Sequence, residues 1–593
     1  MDVLVRIVRP VGESLSSELE RFIALGVVQT ELELRTARVE LVERRQASIL
    51  AVQQPILDLL ESSGGEILHR CKNMPCLAAR LPPSLVWELV RHPYVERIDL
   101  DDVTRATSEV MGDMVIRGTQ IAQFIDAGYD GENGSGKDIT FGVVEISGFN
   151  DEHLGYRDSS GLATRIRRRV SCTGKGCVSV PNFPRATDNH GMGVSGIIFG
   201  DLRDGQDPSV TNSGSRINRS GYAGEAQAFL YDINASVSGL QAALDDIVAR
   251  APYPSIVNLS LEAPFDDKHC KGQSALSRSA NDLFEAGILL IKSAGNSGHA
   301  GGGDCTVGSP GSAIGTFTVG GHGNSITGTQ QDVRYASIYK RSSRGGVSWA
   351  EGRNRTIVDV TAFPCRDRLF DRSGRYSYSG CGTSFSTPTV AAGAINFIDF
   401  YKQAYSNLID NPGLLFANLL LMGDREGERG RRSNEFDSLW GAGRFKMRRW
   451  DGPGLDAPAG WKSGWTCIGD GEIVNVDVNN GMPLDPSVND FKAVLFWYDR
   501  RHENGERVDD IDLRLRKVGG GTLVKSIDSY DNKERVYYSK PGGKALTLEI
   551  SGERVTADSE GCGTNSMKVY YAFFFEDDAR NDADGPGSEI DKE

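Results

Sequence analysis

The chain has 593 residues, too many for one domain, so two to four are expected. Its 39% hydrophobic and 25% charged residues are globular values, and a net charge of −14 argues against nucleic acid as a partner. No apolar run is long enough to predict a membrane-spanning helix.

Residues 1–35 carry no clear periodicity and read as an N-terminal extension. The first ten hold no uninterrupted apolar core and no leader cleavage site. Val39, Leu41 and Val42 predict a strand. Ile49, Val52, Ile56, Leu59 and Leu60 keep helical spacing until Gly64 and Gly65 end the run, with Pro55 a kink or a late start. Residues 66–71 and 76–81 read as two strands. Ser84 caps a short helix, His92-Pro93 stops it, and 94–98 is a last strand. The order βαββαβ is that of a small ferredoxin-like α+β domain over 36–103.

A polar linker, 104–125, leads to a second region, 126–452, where strands alternate with helices. The strand at 139–144 ends at Glu145. The basic run 165–169 reads as a solvated face. Residues 188–198 are a turn entering a helix. Further strands fall at 226–231, 255–261 and 288–291, with helical stripes between them. This alternation predicts a doubly wound, mostly parallel sheet covered on both faces, with functional residues at the carboxyl ends of strands. Glu145 and Asn296 are placed there. Gly382-Thr383-Ser384-Phe385-Ser386-Thr387-Pro388 precedes an apolar, Ala-rich helix, with Pro388 expected in its first turn. From 453 to 576 short alternating strands predict an all-β sandwich or jelly roll. The tail 577–593 is acidic, Gly-containing and expected to be disordered.

The ten cysteines form close pairs: Cys71 with Cys76, Cys172 with Cys177, Cys270 with Cys305, and Cys365 with Cys381. Cys467 and Cys562 bracket the C-terminal region. Such usage predicts disulfides and an extracellular or periplasmic location. No Cys-x-x-Cys pair exists, which argues against zinc.

A serine hydroxyl becomes a nucleophile only when a base takes its proton. Ser384 stands at a helix start, where backbone donors favour developing negative charge. His190, one of eight histidines, lies in a Gly-flanked turn and is the candidate base. A carboxylate must fix its tautomer, and Glu145 is the candidate. Asn296 can supply a side-chain donor to the oxyanion.

At these residues the chain resembles the subtilase family of serine endopeptidases. The stretch around Ser384 is similar to the family's nucleophile signature, and 188–196 resembles the histidine motif. Ser293-Ala294-Gly295-Asn296 looks like the oxyanion segment. Asn258-Leu259-Ser260-Leu261 resembles the strand that pairs with substrate, and 306–311, with Gly308, the wall of the primary specificity pocket. The resemblance implies a subtilisin-like serine endopeptidase that needs no cofactor and acts through an acyl-enzyme on polypeptide substrates. It also implies a self-processing zymogen: 36–103 would be the propeptide, an intramolecular inhibitor and folding chaperone, and the processing site would lie within 104–125. The region 453–576 is similar to the β-sandwich that follows some secreted subtilases. A monomer is expected.

The chain departs from the family in places. Glu145 stands one residue before the usual aspartate position, which Ile146 occupies, and Asp151 is the other candidate partner for His190. Met192 and Gly193 replace the usual Thr and His. Glu262 stands where glycine is usual beside the pocket, either pointing to solvent or attracting a basic side chain. Asp509, Asp510 and Asp512 allow a structural Ca²⁺. A second reading of the chain is a catalytically inactive binding protein on the same fold. A third, an acid-active Ser-Glu-Asp enzyme, is opposed by Asn296 at the oxyanion position.

Overall fold

The computed structural model describes residues 2–577, except 11–13, 26–30, 101–104, 107–120, 122–123, 125–138, 159–162, 185, 201–220, 250–252, 264–269, 299–304, 324–337, 347–354, 405–410, 425–435, 437, 448–459, 505–507 and 560. Most of the expected linker and the acidic tail beyond Asp577 therefore lie outside the described residues.

A ten-stranded sheet forms the centre. Its order is Gly423–Asp424, Arg444–Phe445, Val360–Ala362, Thr316–Gly321, Leu289–Ser293, Ile256–Leu259, Thr140–Glu145, Gln227–Ile233, Ile166–Thr173 and Gly176–Ser179. The strands from Arg444–Phe445 to Ile166–Thr173 run parallel. An antiparallel strand closes each edge. Side chains alternate between two cores. Phe141 and Val143 pack with helices His190–Phe199, Thr383–Ala404 and Pro412–Leu421. Val144, Val257 and Leu290 pack with Val237–Ala249 and Ala275–Glu285 on the other face. Burial on both faces explains why these strands read as continuous apolar runs. This is the doubly wound, mostly parallel α/β arrangement that the alternating strands and helices predicted.

The basic run 165–169 belongs to this sheet rather than to a solvated face. Arg165 is buried and donates to the Gly155 carbonyl at 2.8 Å. Arg169 pairs with Asp151, and Arg168 lies over the Phe229 ring.

The N-terminal region folds into a four-stranded antiparallel sheet, ordered Glu66–Arg70, Cys76–Arg80, Asp2–Ile7 and Val95–Leu100. Two expectations are corrected here. Residues 1–35 are not merely an extension, because Asp2–Ile7 is a central strand. The proposed strand near Val39 lies inside the helix Glu31–Ser62. Leu41 and Val42 are both buried while Val39 is exposed, which the alternation of a strand would not give. Asp2–Ile7 lacked a visible alternation because both its faces are covered. Val3, Val5 and Ile7 face Ile56, Leu60 and Leu85, while Leu4 faces the Val237–Ala249 and Ala275–Glu285 side. The short helix expected at Ser84 is Pro83–Val90, the third after Leu15–Ala24 and Glu31–Ser62, with Pro82 rather than Ser84 at its cap.

Residues 462–577 form two four-stranded antiparallel sheets. Ile468, Leu495, Trp497 and Val569 of one share a core with Leu513, Leu548 and Ile550 of the other. The outer face of the first sheet packs on Pro412–Leu421, where Phe416 and Phe496 stack at 3.9 Å. All five expected cysteine pairs are disulfides. Among the described residues, no helix is long and apolar enough to cross a membrane.

Candidate active site

Thr140–Glu145 delivers Glu145 to the carboxyl end of a central strand, fully buried. His190 opens the helix His190–Phe199, and its backbone N–H donates to Asp188 Oδ1 at 2.7 Å. The next N–H, of Gly191, donates to Ser147 Oγ at 2.9 Å. A Cβ on Gly191 would stand 2.8 Å from the Gly148 carbonyl, so only glycine lets this helix start come so close to the strand end. The result is a 3.0 Å contact between His190 Nδ1 and Glu145 Oε2.

Burial pushes the Glu145 carboxyl up. Burial also opposes the His190 imidazolium, but the charge and hydrogen bond of Glu145 outweigh it and raise His190. The pair is buried and shares one proton, which we assign to Nδ1, where it serves both partners. The opposite nitrogen, Nε2, is buried and makes no hydrogen bond among the described residues. The imidazole packs 5.6 Å from the ring of Phe385, the residue after Ser384.

Ser384 lies in the first turn of Thr383–Ala404 and is fully buried. Pro388 is not in that first turn, as the sequence suggested, but one turn further in. It cannot supply the N–H that the Ser384 carbonyl would accept in a regular helix. Ser260 Oγ supplies it at 2.9 Å.

Asn296 follows the strand Leu289–Ser293. Its Oδ1 accepts from the Thr383 N–H at 3.0 Å and from Thr383 Oγ1 at 3.3 Å. Thr383 Oγ1 in turn accepts the Gly295 N–H at 3.0 Å. With Oδ1 anchored, Nδ2 is left as the donor for an incoming oxygen. Gly295 takes φ +106°, a backbone conformation that favours glycine.

The remaining pocket candidates also converge. Ser293 is buried at its strand end, and the Ala294 N–H donates to the Val319 carbonyl at 2.8 Å. Leu261–Glu262 pairs antiparallel with Arg105–Ala106, with Leu261 opposite Ala106 and Glu262 opposite Arg105. A Cβ on Gly308 would stand 2.8 Å from Glu262 Cβ.

Asp151 is not brought to His190; it is held by Arg169. Met192 and Gly193 serve packing: Met192 Sδ accepts the Asn150 N–H, and Gly193 abuts Leu369 and Phe385. Of the residues considered for Ca²⁺, Asp509 pairs with Arg501 and Asp512 with Arg514. Among the described residues, no cluster of three His, Cys, Asp or Glu is placed to hold a metal.

Four supporting residues were missed. Thr383 orients Asn296, Asp188 and Ser147 fix the His190 turn, and Asp232 sits opposite Glu145 in the sheet register. The Asp232 carboxyl is pushed up to about 6 by burial and by the Glu145 charge. Thr383 was legible, since it adjoins the nucleophile candidate. Asp232 carries no motif and is found only through strand pairing.

Residues 137–408 match the model of the subtilase family. This part of the chain belongs to that family. This region is thus a subtilisin-like serine endopeptidase domain, and an inactive relative is not favoured. Among curated proteins, none matches the sequence. Several solved structures are similar. Sphericase is 19% identical, with 54% of this chain and 97% of that one covered and a TM-score of 0.38. The epidermin leader peptide processing serine protease (EpiP) from Staphylococcus aureus is 13% identical, over 75% of this chain and 96% of that one, with a TM-score of 0.43. A cold adapted subtilisin-like serine proteinase is 21% identical, over 51% and 87%, with a TM-score of 0.34.

Proposed function

We propose that this subtilase cleaves peptide bonds with Ser384 as nucleophile, His190 as base, Glu145 as the carboxylate behind it and Asn296 as oxyanion donor. The observation that carries the reading is the buried 3.0 Å contact between His190 Nδ1 and Glu145 Oε2. Glu145 reaches the histidine from one residue before the usual aspartate position, at a helix start that Gly191 lets come close. Ser384 Oγ attacks the carbonyl carbon while its proton passes to His190 Nε2. Asn296 Nδ2 and the Ser384 N–H hold the oxyanion. The C–N bond then breaks, the amine leaves with that proton, and water attacking through His190 releases the acid.

We also propose that the N-terminal unit is an inhibitory propeptide. Its sheet packs on Val237–Ala249 and Ala275–Glu285, and the chain leaving it pairs with Leu261–Glu262 as an extended substrate would. The processing bond then falls shortly after Ala106, within 104–125. The two sheets of 462–577 are read as the β-sandwich domain of a secreted, monomeric enzyme, a location that the five disulfides support.

The test is intact mass of the wild type and of Ser384→Ala, with fluorophosphonate labelling of both. Cleavage and labelling in the wild type alone are expected. If both chains stay full length and neither labels, the reading fails.

A further inference from the structure

Asp232 stands beside Glu145, although no motif marks it. Gln227–Ile233 runs parallel to Thr140–Glu145, and Asp232 is the register partner of Glu145. Leu230, two residues earlier, joins the same core as Phe141 and Val143. By strand alternation Asp232 and Glu145 therefore project from one face of adjacent strands, which lie about 4.8 Å apart. The chain leaving Glu145 turns over Asp232, whose carboxylate accepts the Gly148 N–H. Its Oδ2 lies 3.8 Å from where a Cβ on Gly148 would stand. The same turn holds the approach to His190. The Ser147 carbonyl accepts the Thr187 N–H at 2.8 Å, and Ser147 Oγ accepts the Gly191 N–H at 2.9 Å. Asp232, the turn 146–148 and the start of His190–Phe199 thus form one hydrogen-bonded stack, with Glu145 at its entrance.

We propose that Asp232 is a positioning residue for peptide-bond cleavage: it anchors the turn 146–148 and sets a second negative charge beside Glu145, so that two carboxylates steady the imidazolium formed on His190 during attack. This rests on the protease reading above. A carboxylate acceptor makes the bond to Gly148 a strong one. The charge acting on Asp232, among the described residues, is that of Glu145. Its other register neighbour, Ser171, is uncharged, and His190 is the one titratable residue of His190–Phe199. Glu145 in turn feels His190 and Asp188. Burial and the Glu145 charge hold the Asp232 carboxyl up at about 6, so it is ionised at and above neutral pH, where His190 must act as a base.

The experiment takes the full chain after self-processing, counts active sites with a fluorophosphonate, and measures kcat/KM per site against pH. Asp232→Ala deletes both anchor and charge and should lower kcat/KM about ten- to a hundredfold, mostly through kcat. Asp232→Asn keeps an acceptor for Gly148 and should recover most of that loss. Removing a negative charge disfavours the imidazolium, so its activity midpoint should move down by about half a pH unit or more. A merely structural role would lower activity without moving that midpoint. An unmoved midpoint in Asp232→Asn, or full activity in Asp232→Ala, overturns the inference. Should Asp232→Ala fail to fold, the Asp232→Asn profile decides alone. A wild type that takes no fluorophosphonate overturns the protease reading, and this inference with it.

Discussion

Ser260 donates its hydroxyl to the Ser384 carbonyl at 2.9 Å, the bond that Pro388 cannot make. A residue between the strands Ile256–Leu259 and Leu261–Glu262 thus completes the helix that carries Ser384. Ser260→Ala removes this hydrogen bond to a buried carbonyl and should cost about 0.5–1.5 kcal/mol. Adding Pro388→Ala restores an N–H at the regular helix position and should recover part of that loss. Denaturant unfolding in a Ser384→Ala background, which prevents self-digestion, measures both. Equal stability of Ser260→Ala and its parent would sink the account.

Glu145→Asp withdraws the carboxylate by about one C–C bond, ~1.5 Å. The 3.0 Å contact to His190 is then lost, so the shorter acid, though the family's usual one, should lower kcat/KM at least tenfold. Glu145→Gln should lower it by about 10³–10⁴.

The pH profile follows from the same pair. Activity needs neutral His190, whose pKa is raised above the ordinary 6.5 by Glu145. In the wild type kcat/KM should therefore rise with pH through a midpoint at or above that value. In Glu145→Gln, burial acts without its counter-charge, and the midpoint should move to lower pH.

Asn296→Leu keeps the volume but removes the donor. A fall of about 10²–10³ in kcat with little change in KM is expected. Thr383→Val should give a smaller fall, since it loosens Asn296 without deleting it.

Glu285 joins all three parts of the chain. It binds Arg9 at 2.6 Å and Arg45 at 3.8 Å from the N-terminal unit, and Tyr498 at 2.9 Å and Arg500 at 3.6 Å from the C-terminal one. Burial works against its charge, but the arginines hold its carboxyl down at about 2. A carboxyl depressed below its ordinary 4.5 adds stability above that pH and loses it only as pH falls toward 2. On the propeptide reading, Glu285 should therefore still hold the cleaved N-terminal unit at pH 5. Arg500→Ala should speed its release, measured as the lag before activity appears after self-cleavage.

Much of the candidate site was legible in the sequence. Ser384, His190 and Asn296 sit in short motifs whose chemistry depends on local features: a helix start, a Gly-flanked turn and a strand end. The central strands and their helices were legible too, because burial on both faces leaves unbroken apolar runs. Where a neighbour decided the outcome, the sequence misled. Asp2–Ile7 and the helix over Val39 took their form from packing against Ile56, Leu60 and the helices beneath, which overrides a short local pattern. The sequence named Glu145 as a candidate, but only the close approach at Gly191 brings its carboxylate to His190. The same holds for Asp232 beside Glu145, for Glu262 packed against Gly295 and Gly308, and for Ser260 answering Pro388. Each is a contact between residues far apart in the chain, set by strand order and helix packing, to which no local spacing of residues is sensitive.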